Sequence, residues 1–209
     1  MTTYTFPDLE PSASTWELVS NTRTFVSPLT NAVQTASRKG SFWKVSMQFN
    51  NLKGEERSIM TAFLTKLNGR EHRFILYDHA FTRRGSGADT NLVAAASQTG
   101  TSLSCTGGAA SQSAYAKAGD YIRVGNALHV IVPSGNTDDE TYSTDVSGNV
   151  TFTIAPPLRQ ATAASSPFTD VRIDTPVEGV FMLVSTASWD SRPGVVSNFS
   201  IECVEDVLA

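Results

Sequence analysis

His72, His79 and His129 are the side chains best suited to proton transfer or metal binding at neutral pH. His72 and His79 flank Asp78, which has the composition of a ligand set. A spacing of seven along a strand, however, sends the two imidazoles to opposite faces of a sheet, where they cannot share an ion. His129 falls in a predicted hairpin strand and reads as a surface or hydrogen-bonded histidine. Gly85-Ser86-Gly87 lacks the Gly-x-Ser-x-Gly spacing and following helix of a nucleophile elbow, so it reads as a flexible hinge. Gly100 and Gly107-Gly108 have no lysine at the distance a phosphate loop requires.

Asp138, Asp139 and Glu140 adjoin one another in a polar loop, whereas glycosidase carboxylates must face each other across a sugar. A solvated acidic loop is the expectation. A weak calcium site is the alternative, although the ligand order of an EF-hand is missing. Cys105 and Cys203 are too far apart in sequence for a C-x-x-C pair and read as isolated small hydrophobes, with a disulfide the lesser alternative. Trp16, Trp43 and Trp189 read as core residues. No catalytic, cofactor-binding or metal-binding residue is assigned, and the chain is expected to be structural or binding rather than enzymatic.

Composition narrows the partners. Sixteen basic and twenty acidic residues among 209 give a net charge of −4, with no clustered basic surface of the kind that holds a phosphate backbone. Charged residues make up only 17% of the chain, too few for a coiled coil or helical bundle. No apolar run approaches the ~20 residues of a membrane-spanning helix, so no membrane insertion is expected. The N-terminus lacks the basic start and apolar run of a leader, so synthesis and initial residence in the cytosol are expected.

The pattern of the chain indicates mainly β structure with one amphipathic helix. Phe42–Asn50 alternates, with Trp43, Val45, Met47 and Phe49 on one face, and predicts a half-buried strand. Residues 55–67 change period, with Ile59, Met60, Phe63, Leu64 and Leu67 on one face, acids in the first turn and Asn68-Gly69 as the stop. Phe74–Tyr77 predicts a strand buried on both faces. The Pro-containing segment Phe6–Pro11 predicts an exposed arm.

Between residues 84 and 165 there are ten charged side chains in 82 positions, against 26 in the other 127. That dilution, with Gly, Ser and Pro at both ends, predicts a discontinuous outer domain, 1–83 plus 166–209, interrupted by an inserted domain, 84–165. Within the insertion, residues 119–124 and 128–132 flank Gly125-Asn126-Ala127 as a hairpin. With Val150–Ile154 and the segment around Leu103, four or five short strands suffice for a small barrel or sandwich. The outer domain resumes with Phe181–Val184 and the alternation Phe199, Ile201, Cys203.

Several segments together resemble a known family. Trp16–Phe25 with Ser27-Pro28-Leu29-Thr30, Gly40-Ser41-Phe42-Trp43, Gly69–Phe74, Trp189–Gly194 and Phe199–Glu205 are similar to tail proteins of long-tailed, non-contractile bacteriophages, above all to the distal tail proteins. The resemblance covers the outer domain well and the insertion mainly in layout. It implies a baseplate or tail-tube-type β domain interrupted by a small oligonucleotide/oligosaccharide-type (OB-like) barrel. It further implies a virion protein, assembled in the host cytoplasm, that forms a hexameric ring at the tail tip with a lumen for DNA as transiting cargo.

The partners so implied are further copies of the chain, the tail tube protein, the baseplate hub protein, and tape measure and side-fibre proteins. The alternatives are another tail ring, such as a tube or terminator protein, and a carbohydrate-binding adhesion module. The last would recruit Tyr115, Tyr121, Tyr142, Phe152, Lys117, Arg123 and Arg159 from the insertion.

Overall fold

A computed structural model describes residues 1–88, 92–163, 170–185, 187–191 and 196–206. It is 46% strand and 7% helix, with a single helix. The first segment contains β1 (Thr3–Thr5), β2 (Ala13–Val19), β3 (Thr22–Val26), β4 (Val33–Ser37), β5 (Phe42–Leu52), α1 (Gly54–Leu67) and β6 (Arg73–Leu76). Then come β7 (Leu92–Ala94), β8 (Gly100–Thr106), β9 (Ala116–Lys117), β10 (Tyr121–Val124), β11 (Ala127–Ile131), β12 (Thr141–Tyr142), β13 (Val150–Leu158) and β14 (Asp170–Arg172). The chain finishes with β15 (Gly179–Leu183), β16 (Ser188–Ser191) and β17 (Ser197–Glu205).

Strands β1-β6-β15-β17-β5-β2 form one sheet in that order, with β16 also paired to β17. The alternation of β5 buries Trp43, Val45, Met47 and Phe49, and the facing strand β17 buries Phe199, Ile201 and Cys203 on the same side. Against that face α1 lays Met60, Phe63, Leu64 and Leu67. Each such side chain contributes roughly 1.5–3 kcal/mol when fully removed from water, so packing rather than propensity holds this helix. Asn68, in the left-handed region at φ 49°, ends it, and its N–H donates to the Thr65 carbonyl.

Strands β10-β11-β13-β8-β7-β14 close into a six-stranded barrel around a second core, which includes Leu103, Ile122, Phe152, Ile154 and Val171. Closure removes the sheet edges that open strands would leave. The two-residue turn Gly125-Asn126 joins β10 to β11 at the expected hairpin. The closing strand β14 lies beyond residue 165 and pairs with both β7 and β10, so the barrel draws on the segment assigned above to the outer domain. Three residues of alternation are too few to show in the sequence. Residues 164–169, where the far end of the insertion was placed, lie outside the described residues, as do Arg192, Pro193 and Gly194.

Two expectations are corrected. The N-terminal segment is not an exposed arm: β1 pairs in parallel with β6, and Phe6 is buried among Phe49, Phe63 and Phe74. Proline bars regular structure only from Pro7 onward, leaving the preceding residues free to pair. Nor is Gly85-Ser86-Gly87 a flexible hinge. Its Gly85 N–H donates to Asp120, its Gly87 N–H donates to the Tyr115 carbonyl, and a Cβ on Gly87 would sit 2.6 Å from the Tyr115 ring. The glycine serves close approach here, not freedom. Replacing Phe6 by alanine should lower unfolding free energy by about 3 kcal/mol in urea titration, because three aromatic rings lose their common neighbour. An unchanged midpoint would mean the N-terminal segment is not docked.

Candidate functional site

The residues considered for chemistry are dispersed. His72 accepts a long hydrogen bond from Thr2 N–H, and His79 stacks on Tyr77 beyond the end of β6. Asp139 pairs with Arg84 at 2.6 Å, while Glu140 turns away to accept from Ser134, whose donors hold its carboxyl below the ordinary value. Among the described residues no three His, Cys, Asp or Glu side chains converge as a metal set. Cys105 and Cys203 are free, and each is buried in a different core. Ser86 gives its hydroxyl to backbone carbonyls rather than to a base.

The residues that would have formed a sugar-binding platform are largely interior. Tyr115, Tyr142 and Phe152 belong to the barrel core, and Arg159 is sequestered by Glu205. Arg123 is turned onto the Gly125 carbonyl and Asn126. Trp16 and Trp43 pack as expected, but Trp189 is exposed beside Phe199 on the short strand β16.

What the fold does bring together is a polar joint between sheet and barrel. Glu205, fully buried at the end of β17, accepts from Leu128 N–H at 2.7 Å and Trp43 N–H at 3.2 Å, and forms an ion pair with Arg159. Arg159 follows β13 of the barrel and also donates to the Ser41 carbonyl at 2.8 Å. The Trp43 indole N–H donates back to the Leu128 carbonyl at 2.9 Å. One carboxylate thus fastens β5, β11 and the end of β13. Burial pushes its carboxyl above the ordinary value, while Arg159 and the two N–H donors pull it down.

A second buried carboxylate, Asp120, accepts from the N–H groups of Arg84, Gly85 and Lys117, all within 2.9 Å. It anchors the strand of chain that enters the barrel. Nearby, Gly179 lets β15 approach β11: a Cβ there would lie 3.2 Å from Leu128 Cβ and 2.9 Å from the Phe181 ring.

Beside the joint lies a cavity of about 230 Å³ walled by Tyr77, Asp78, His79, Phe81, Tyr121 and the segment Thr175–Val177. Phe81 meets Tyr121 edge-on at 4.8 Å, and the Tyr121 hydroxyl donates weakly to Asp78 at 3.4 Å. Burial, with Asp78, pushes the Tyr121 phenol up to about 12.

The other conspicuous surface is an arm. Among the described residues, strands β3 and β4 pair only with each other, prolonging the β2–β5 hairpin past the sheet by about 17 Å at ~3.4 Å per residue. Every residue from Thr22 to Ser37 except Ser27 is exposed, and Phe25, Val26, Leu29 and Val33 are each more than half exposed. Sequence reading missed this arm. The signal was present in Thr22–Val26 and Val33–Ser37, two β-prone runs around a Ser-Pro turn, but nothing marked them as standing clear of the sheet. Strand β2, at whose end the arm begins, is also an edge of the main sheet.

No protein-family model matches the chain, and no curated protein matches it. No helix among the described residues is long and apolar enough to cross a membrane.

Two outcomes are expected from the joint. Glu205→Ala should cost about 3–5 kcal/mol of stability by leaving Arg159 buried without its anion, and pairing it with Arg159→Met should recover much of the loss. A single-variant cost below about 1 kcal/mol would refute the buried pair. His129 is buried, its Nδ1–H donating to the Pro156 carbonyl at 2.8 Å, and burial lowers its pKa to about 4. The unfolded chain takes up this proton near pH 6.5 and the folded chain only near pH 4. Stability should therefore be full above 6.5 and fall by about 3 kcal/mol as pH drops to 4. His129→Gln should flatten that part of the profile; an unchanged slope would place its origin elsewhere.

Proposed function

We propose that this chain is a non-enzymatic ring component at the distal tip of a long-tailed phage tail, linking tail tube to baseplate hub and receptor-binding proteins, with DNA passing through its lumen. The observation that carries the reading is the β3–β4 arm. A two-stranded hairpin exposed on both faces is marginal in water and gains its stability from a surface outside its own fold. It extends from an edge strand, and edge strands offer unpaired backbone groups to a neighbour.

An arm on one side of a subunit and a receiving surface on another generate a heterologous contact, which closes into a ring when the rotation is right. The likeness of the outer-domain segments to distal tail proteins supports the position at the tip, and the mainly β fold with one helix and a small barrel agrees with that layout. The scattered titratable groups favour assembly over catalysis. The burial of three of the four barrel aromatics weighs against a carbohydrate platform.

Gold-labelled antibody against the chain, applied to intact virions and viewed by negative-stain electron microscopy, should mark the tail tip alone. Label along the whole tube would make the chain a tube protein. Absence of label, with working controls, would overturn the virion assignment.

A further inference from the structure

The cavity beside the joint has the features of a receptor for one cationic side chain. At about 230 Å³ it is smaller than the ~300–1,000 Å³ of ordinary small-molecule pockets, so it suits a single long side chain better than a free ligand. Its walls are aromatic: Tyr77 stacks with His79 at 4.2 Å, and Phe81 packs edge-on against Tyr121. Such rings attract ammonium and guanidinium groups placed over their faces.

The surroundings are anionic. Asp78 is part of the wall, and the fields of Asp8, Glu10 and Glu178 reach Tyr77, adding to the burial that raises its phenol. Burial lowers the His79 pKa, which favours the neutral imidazole in this wall. Arg123, which also feels Glu178, is engaged by Gly125 and Asn126.

A complementary surface exists on the same chain. Residues 21–41 contain Arg23, Arg38 and Lys39 and no acid, and removing those three cations from the net −4 leaves −7 on the rest. All three are exposed: Arg23 shares a face of β3 with the apolar Phe25 two residues on, and Arg38 and Lys39 follow β4 at the base of the arm. None of the arm's residues lines the cavity of its own chain. We infer that the cavity receives a cationic side chain from the arm of a second copy, so that copies associate head to tail. The inference deepens the ring reading by naming its contact.

The contact is tested with two full-length variants whose changes lie on exposed side chains. R23E/R38E/K39E reverses the arm and leaves the cavity intact; D8K/E10K reverses two of the acids whose fields reach Tyr77 in the cavity wall and leaves the arm intact. In sedimentation velocity at low and physiological salt, the wild-type chain should self-associate, more strongly at low salt, and each variant alone should do so at least about tenfold more weakly. Mixing the two should restore dimers, because the unaltered arm of one meets the unaltered cavity of the other. Circular dichroism controls for folding, and Phe81→Ala should weaken association without any change of charge.

A wild-type chain that stays monomeric up to its solubility limit would overturn the contact, as would variants that associate like wild type or a mixture that fails to recover. Label at the tail tip in virions alongside any of these results would leave the ring reading standing with its contact elsewhere.

Discussion

The Arg159–Glu205 pair is the constraint around which the two halves of the molecule are arranged. A carboxylate and a guanidinium withdrawn from water each carry a desolvation penalty of several kcal/mol, which only close, multiple partners can offset. Glu205 finds those partners on three separate elements, so its burial is compatible with only one docking of barrel on sheet. Leu128 belongs to a barrel strand but packs in the sheet's core, and its N–H and carbonyl are both occupied by groups of the outer domain. An inserted domain held only by its two connecting strands would swing; these bonds deny it that motion.

The same logic applies at the entry to the barrel. Asp120 gathers three backbone N–H groups from two stretches of chain, and so fixes where the chain leaves the outer domain. Gly87 then allows an approach to the Tyr115 ring at which a Cβ would clash, and Gly179 a tight one to Leu128. Polar anchoring chooses the arrangement, and apolar packing in two cores supplies most of its stability.

The rigid joint contrasts with the unsupported arm, and the contrast bears on function. A subunit that must hand forces or contacts to neighbours benefits from a stiff body and a projecting element whose binding surface is not consumed internally. Among the described residues the arm's basic side chains form no ion pair, and its apolar side chains stand exposed. Its opposite in character, the aromatic cavity with Asp78 in its wall, sits on the stiff body beside the joint. This division is in keeping with the assembly role proposed above.

Local pattern determined much of this protein by itself. The alternation of Phe42–Asn50, the period of residues 55–67 with its Asn68-Gly69 stop, and the Gly125-Asn126 turn all depend on interactions within a few residues, and each element forms where its pattern places it. The mainly β class, the lone helix and a small barrel follow from the same signals. Tertiary structure alone decided the rest, because the deciding contacts join residues far apart in sequence. Phe6 became core only when β6 offered it a neighbouring strand, and β14 became a barrel strand only when β7 and β10 lay on either side. Glu205 falls in phase with Phe199, Ile201 and Cys203, but nothing in the one-dimensional pattern showed which partners would let a carboxylate be buried there, and Arg159 looked like a free cation. The cavity is likewise invisible in one dimension, since Tyr77, Tyr121 and Pro176 meet only when sheet and barrel dock. Periodicity reports which face a residue turns toward; what it meets there is set by long-range packing and by buried charges that tolerate few partners.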